Sequence, residues 1–166
     1  MNSAYSGVTP NNSLKLTRYG RQLGTNVTRQ KTMDQTLTIF NQAVSDISGV
    51  ASTVGLPEGN ALDSSAVLVW PWRLEEQMVP RGRPDAASAG PLSAELRIHC
   101  VVLAQDPGVL FKIKTGLYRQ PPLEKDGVFV MVHYENLPVA DILALFSAAR
   151  LVPRLCLPYV VQQVAG

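Results

Sequence analysis

The chain has 166 residues, of which 46% are apolar and 17% charged, with a formal net charge of +2. That length suits one domain burying roughly 70% of the surface its unfolded chain exposes, and no run approaches the ~20 apolar residues of a membrane span. The charged share lies below the usual ~25%, which fits a subunit that hides area in a partner and fits a tightly packed monomer as well.

Residues 1–31 are rich in Asn, Thr, Ser and Gly and show no steady apolar period, which predicts an extended, flexible arm ahead of a single domain over residues 32–166. Residues 1–33 contain Lys15, Arg18, Arg21, Arg29 and Lys31 and no acid. Removing these five from the 15 basic residues leaves ten against 13 acids, so the body carries about −3. A basic arm on a mildly acidic body can contact phosphates or an acidic neighbouring subunit; the alternative is a solvated tail. The first residues have neither the basic n-region nor the apolar h-region of a secretory signal.

"TMDQTLTIFNQAVSDISG" predicts the first helix. Thr32 and Gln35 form a capping box, Asp34 suits the first turn, and Gly49 suits the end. Met33, Leu37, Phe40, Val44 and Ile47 make one apolar stripe at spacings of three and four. After a Gly/Pro/Asn-rich linker, "AVLVWPWRLEEQ" predicts a strand with Leu68, Trp70, Trp72 and Leu74 on one face and Val67 and Val69 on the other. Pro71 lacks a ladder donor, so that strand lies at an edge or is bulged there. "MVPRGRPDAASAGP" is an exposed loop. "LSAELRIHCVVLAQ" then alternates, with Leu96, Ile98, Cys100 and Val102 inward and Glu95, Arg97 and His99 opposite, so the two runs form an antiparallel hairpin.

"DPGVLFKIKTGLYRQ" predicts a helix capped by Asp106 and opened by Pro107. Leu110, Val109, Ile113 and Leu117 form its buried stripe, and Gly116 weakens it by roughly 1 kcal/mol relative to Ala. "PPLEKDG" is a turn. "VFVMVHYE" is a strand apolar on both faces and therefore internal. "NLPVADILALFSAARL" is a helix with Val139, Ile142, Leu143 and Phe146 buried. "RLCLPYVVQQV" is the closing strand, in which Pro158 again predicts an edge or a bulge. The sum is an α/β (α+β) domain: a single mixed β-sheet of about four strands with helices packed on it.

Nothing in this pattern assembles a reaction centre. His99 and His133 lack partners at metal-ligand spacing, which leaves structural or surface roles. Glu75 and Glu76 are adjacent and point to opposite faces of a strand. No glycine-rich phosphate loop and no nucleophile elbow occurs. Cys100 and Cys156 sit in strands as small buried hydrophobes, in keeping with a reducing compartment. The expectation is no enzyme, no metal and no cofactor. The basic arm, Tyr5, Tyr19, Arg81 and Arg83 would suit a small nucleic-acid-binding module, although no base-reading motif is present.

Three stretches carry a family resemblance. "SSAVLVWPWRLEEQMVPRGRP", running into Arg81-Gly82-Arg83-Pro84, "LSAELRIHCVVLAQ", and "LPVADILALFSAARLVPRLCLPYVV" are together similar to the tail-terminator, or tube-cap, proteins of contractile tails and phage-like contractile injection systems. The similarity covers about residues 33–164; the basic arm stands outside it, and the middle helix is shorter and more basic than the family pattern. The resemblance implies a homo-hexameric ring that caps the tail tube and anchors the last sheath layer. Its partners would be its own copies, a tube protein and a sheath protein, with no membrane; contact with DNA is left open by the resemblance. It implies assembly in the bacterial cytoplasm into a phage tail or injection particle. The candidate assembly residues are Lys15, Arg18, Arg21, Arg29, Lys31, Arg81, Arg83, Pro158 and Tyr159.

Overall fold

The computed structural model describes residues 16–57, 66–80 and 92–164, with the backbone alone for residues 16–29, 77–80 and 92–94. The chain divides into two units, Met1–Gln35 and Thr36–Gly166, and the sheet lies wholly in the second.

Helix α1 runs from Leu16 to Ser48. Its start was expected at Thr32 after an extended arm, but Thr32 and Gln35 lie inside the helix, where backbone N–H groups already pair four residues back. Leu16, Tyr19, Leu23 and Val27 recur at spacings of three, four and four, a helical period that the polar composition hides. Residues 1–15, with Lys15, lie outside the described residues. In the second unit α1 buries Leu37, Ile39, Phe40 and Val44. It ends at Gly49, whose φ of +77° is the left-handed conformation glycine adopts freely, and whose N–H donates to Ser45 O at 2.9 Å.

Strand β1 (Ser52–Val54) follows at once and pairs in parallel with the start of β2 (Val67–Pro80). Asn41 and Ser52 fix it to α1 by a reciprocal pair: Asn41 Nδ2 donates to Ser52 O at 3.0 Å, and Ser52 Oγ donates to Asn41 Oδ1 at 2.6 Å. β2 and β3 (Leu92–Ala104) form the expected antiparallel hairpin. α2 (Pro107–Arg119) is capped by Asp106, whose Oδ1 accepts from Gly108 N at 2.9 Å. β4 (Leu123–Lys125) and β5 (Val128–Tyr134) are joined by Asp126 and Gly127, both at positive φ, the two-residue turn that suits strand twist. α3 (Val139–Ala148) and β6 (Cys156–Val164) complete the chain.

Among the described residues the sheet has six strands in the order β1-β2-β3-β6-β5-β4, parallel only between β1 and β2. About four strands were expected. The two missed strands have three residues each, too short for any alternation to show. α1 and α2 lie on one face, where Phe40 stacks 5.9 Å from Tyr159. α3 lies on the other, with Phe146 against Trp70 at 6.0 Å, edge to face, over Leu68, Val101, Leu103 and Leu151. Burial of each such side chain contributes about 1.5–3 kcal/mol.

The register corrects two facial assignments. A bulge between Pro71 and Arg73 leaves Trp72 on the α3 side but sends Leu74 to the opposite face, across from Ile98 and 53% exposed. On α3, Val139 (70% exposed) and Leu143 (46%) lie on the flank. The packed stripe there is Ile142, Leu145, Phe146 and Ala149, closed by Leu151.

Proline placement has one physical rule behind it. In a strand, the N–H and C=O of one residue point to the same side. Val67 N and Val69 O both bond on the β1 side, so the nitrogen of Pro71 also points there, past the end of β1. Pro158 was expected at an edge or bulge; it sits unbulged in β6, between β3 and β5. Its carbonyl accepts from Glu135 N at 2.9 Å, so its nitrogen faces the side where β5 has just ended, and no ladder bond is lost.

Candidate functional site

The residues best able to do chemistry meet on the α3 side of the sheet. His99, on β3, is 6% exposed. Its Nδ1 lies 2.9 Å from Glu135 Oε1 and its Nε2 lies 3.0 Å from Glu75 Oε1. The bulge brings Glu75 there, because it shifts the alternation of β2 by one residue. Glu135 arrives through its backbone bond to Pro158. The Trp72 ring closes the site at 5.6 Å from the imidazole.

An ionised carboxylate only accepts, so both contacts are hydrogen bonds only when both ring nitrogens carry protons. The bond from His99 holds the Glu75 carboxyl below its ordinary value; desolvation opposes this, and the charges of Arg73, His99 and Arg97 add to it. Both ring nitrogens face carboxylate oxygens, so the imidazole is held from two sides. The arrangement is a bracket that ties β2, β3 and the segment after β5 together. Cys100, across the sheet, cannot join it, and burial pushes its thiol up to about 12. Cys156, on the α3 side, is pushed up to about 11 by the same cause. Among the described residues no group of three or more His, Cys, Asp or Glu side chains is placed to hold a metal, and no helix is long and apolar enough to cross a membrane.

The cavities are equally plain. One of about 400 Å³ lies where β3 leaves the sheet and β6 enters it, lined by Ala104, Gln105, Pro107, Val152, Pro153, Arg154 and Leu155. Its lining contains no acid, nucleophile or histidine.

The sequence-predicted assembly residues that are described lie on α1 and β6. Lys15, Arg81 and Arg83 lie outside the described residues. Arg18, Arg21 and Arg29 lie in α1, and Lys31 is exposed on it. Pro158 and Tyr159 are buried in β6 and present no surface. Tyr159, 3% exposed, packs on Phe40 and on Tyr134, and burial followed by the Tyr134 charge raises its phenol above the ordinary value. The surfaces that sequence reasoning missed are apolar and outward. Phe111 (73% exposed) and Tyr118 (89%) stand on the outer side of α2. Their separation of seven residues, off the Leu110–Ile113–Leu117 stripe, was the available signal.

No family model matches the sequence, and no curated protein matches it. A solved structure matches the fold: the PVC sheath/tube terminator of an extracellular contractile injection system, in its extended state, by cryo-EM. The TM-score is 0.53 at 15% identity, over 79% of this chain and 57% of that one, so the chain spans little more than half the length of this neighbour. At that identity the likeness is one of fold. The mixed α+β fold is similar to that of this terminator, in line with the resemblance carried by the three stretches.

Proposed function

We propose that the protein is a structural subunit of a ring, most simply a homo-hexamer, that terminates the tube and anchors the last sheath layer of a contractile tail or injection system. The observation that carries this is the fold shared with a sheath/tube terminator. The site chemistry agrees with it: the buried histidine is spent on a structural bracket, and the outward groups are apolar and basic side chains suited to docking. A heterologous contact that closes after a fixed number of copies gives a ring without running on into a filament. Symmetry then multiplies modest contacts into firm attachment. The basic segment at residues 1–31 serves as a further contact to tube, sheath or passing DNA.

Electron microscopy of the purified protein, alone and with its tube, tests this. Rings with sixfold symmetry seated at tube ends are expected. A protein that stays monomeric and never joins tube ends would sink the proposal.

A further inference from the structure

On the ring reading, the contact between copies has to join two different surfaces, and the molecule offers such a pair on opposite faces of its sheet. The first is the outer side of α2. Its inner stripe, Leu110, Ile113 and Leu117, is spent on the protein's own core. Its outer side carries Phe111 and Tyr118, 73% and 89% exposed, flanked by Lys112 and Arg119. No acid occurs anywhere in α2. Exposed aromatic rings beside arginine are the composition of interface centres.

The second surface is the half of the opposite face that α3 leaves open. Register places Phe129, Met131, Val160 and Val164 together there on β5 and β6. Phe129 is 41% exposed and Val164 39%, and no described residue packs over them in the way α3 covers Trp70 and Val101. Two acids stand at the ends of this half-face, Glu124 beside Phe129 and Glu95, which accepts from Gln162 at 3.0 Å, while Arg97 and His133 lie on the same face toward the bracket. A sheet face half apolar and uncovered is an unfinished layer, and a helix is the element that finishes one.

We infer that α2 of one copy docks on the open half-face of the next, with Phe111 and Tyr118 over Phe129 and Val164, and Lys112 and Arg119 toward Glu124 and Glu95. Each copy then gives its helix on one side and receives a helix on the other. That head-to-tail arrangement is what a closed ring needs. α2 is sandwiched between its own sheet and its neighbour's, so the assembled ring alternates sheet and helix.

The test uses two full-length variants, sized by light scattering. Phe111→Ser with Tyr118→Ser removes the giving surface; Phe129→Lys with Val164→Lys removes the receiving one. Each variant alone is expected to stay monomeric, with association weakened at least about 30-fold. A 1:1 mixture is expected to form dimers and nothing larger, because one intact contact remains. Lys112→Glu with Arg119→Glu, which touches no apolar residue, is expected to weaken association in the same direction. If the unmodified chain forms rings and the variants form them equally well, this surface assignment is wrong while the ring reading stands. If the unmodified chain never associates, the ring reading itself fails and takes this inference with it. Binding of a generic DNA duplex that the α2 substitutions abolish would assign the helix to nucleic acid and overturn the docking.

Discussion

Gly116 of α2 lies directly under the Ile47 side chain of α1, so close that a Cβ at position 116 would collide with it. Two helices on the same sheet face thus approach through a missing side chain. In an open helix, replacing glycine by alanine gains ~1 kcal/mol. Here Gly116→Ala is expected to lose stability instead, because overpacking costs about 1–3 kcal/mol. Urea unfolding of the two proteins decides the sign, and an unchanged or higher midpoint would show that Ile47 yields freely. Ile47→Ala together with Gly116→Ala should recover part of the loss.

Arg150 adopts a φ of +58° immediately after α3. Its N–H donates to Ser147 O at 3.0 Å and that of Leu151 to Phe146 O at 2.9 Å, the paired bonds that end a helix through one left-handed residue. A residue with a Cβ holds that conformation at a cost of ~1–2 kcal/mol, part of which glycine gives back as a more flexible unfolded chain. Arg150→Gly is expected to raise stability by about 0.5–1 kcal/mol, read as a shift of about 1–4 °C in Tm for a chain of this size. A lower Tm would mean that the Arg150 side chain contributes more than its backbone strain removes.

Most of this architecture was legible in the sequence wherever one pattern ran for several residues. The alternation of β3 from Leu96 to Val102, the Asp106–Pro107 start of α2 and the Phe40–Val44 stripe each repeat often enough to declare themselves. Three things were not legible, each for a physical reason. β1 and β4 are held by neighbouring strands and by the Asn41–Ser52 pair, contacts remote from their own three residues. The bulge after Pro71 reverses facing without altering composition, so Leu74 read as core and Glu75 as its opposite. Pro158 read as an edge because the rule against proline in central strands ignores which way its nitrogen points. The exposed aromatics of α2 were legible by contrast: once Leu110, Ile113 and Leu117 are read as its buried stripe, Phe111 and Tyr118 fall off it.

Glu75 gives the fold an acid-sensitive element. Its carboxyl is held below the ordinary value of 4.5, chiefly by the hydrogen bond from His99. A depressed carboxyl contributes stability that is fully present above the unfolded value and is lost as pH falls through the lowered one. Glu75→Gln is therefore expected to be less stable than the unmodified chain at pH 6, with the gap closing as pH drops below about 4.5. Paired denaturation curves across pH 3–6 give the comparison. A gap that stays constant over that range would show that Glu75 contributes by packing and leaves no mark on the pH dependence.

The division of the chain at Gln35 makes a prediction about the basic segment. Among the described side chains of α1 the buried ones, from Thr36 through Ser48, lie in the second unit, together with the described strands. A helix of about 13 residues is marginal alone but is stable when an apolar face is packed, and Phe40 and Val44 are fully buried. Deleting residues 1–35 is therefore expected to leave a folded protein with an undiminished near-ultraviolet circular dichroism signal from Trp70 and Trp72. It also removes Arg18, Arg21, Arg29 and Lys31, and turns the overall charge from +2 to negative. If that segment docks the ring to tube or sheath, the truncated protein should still form rings but sediment poorly with tubes, most visibly at low salt where charge contacts are least screened. Loss of the folded signal would show that the sheet unit depends on the segment. Full tube binding by the truncated rings would remove the segment from the docking surface.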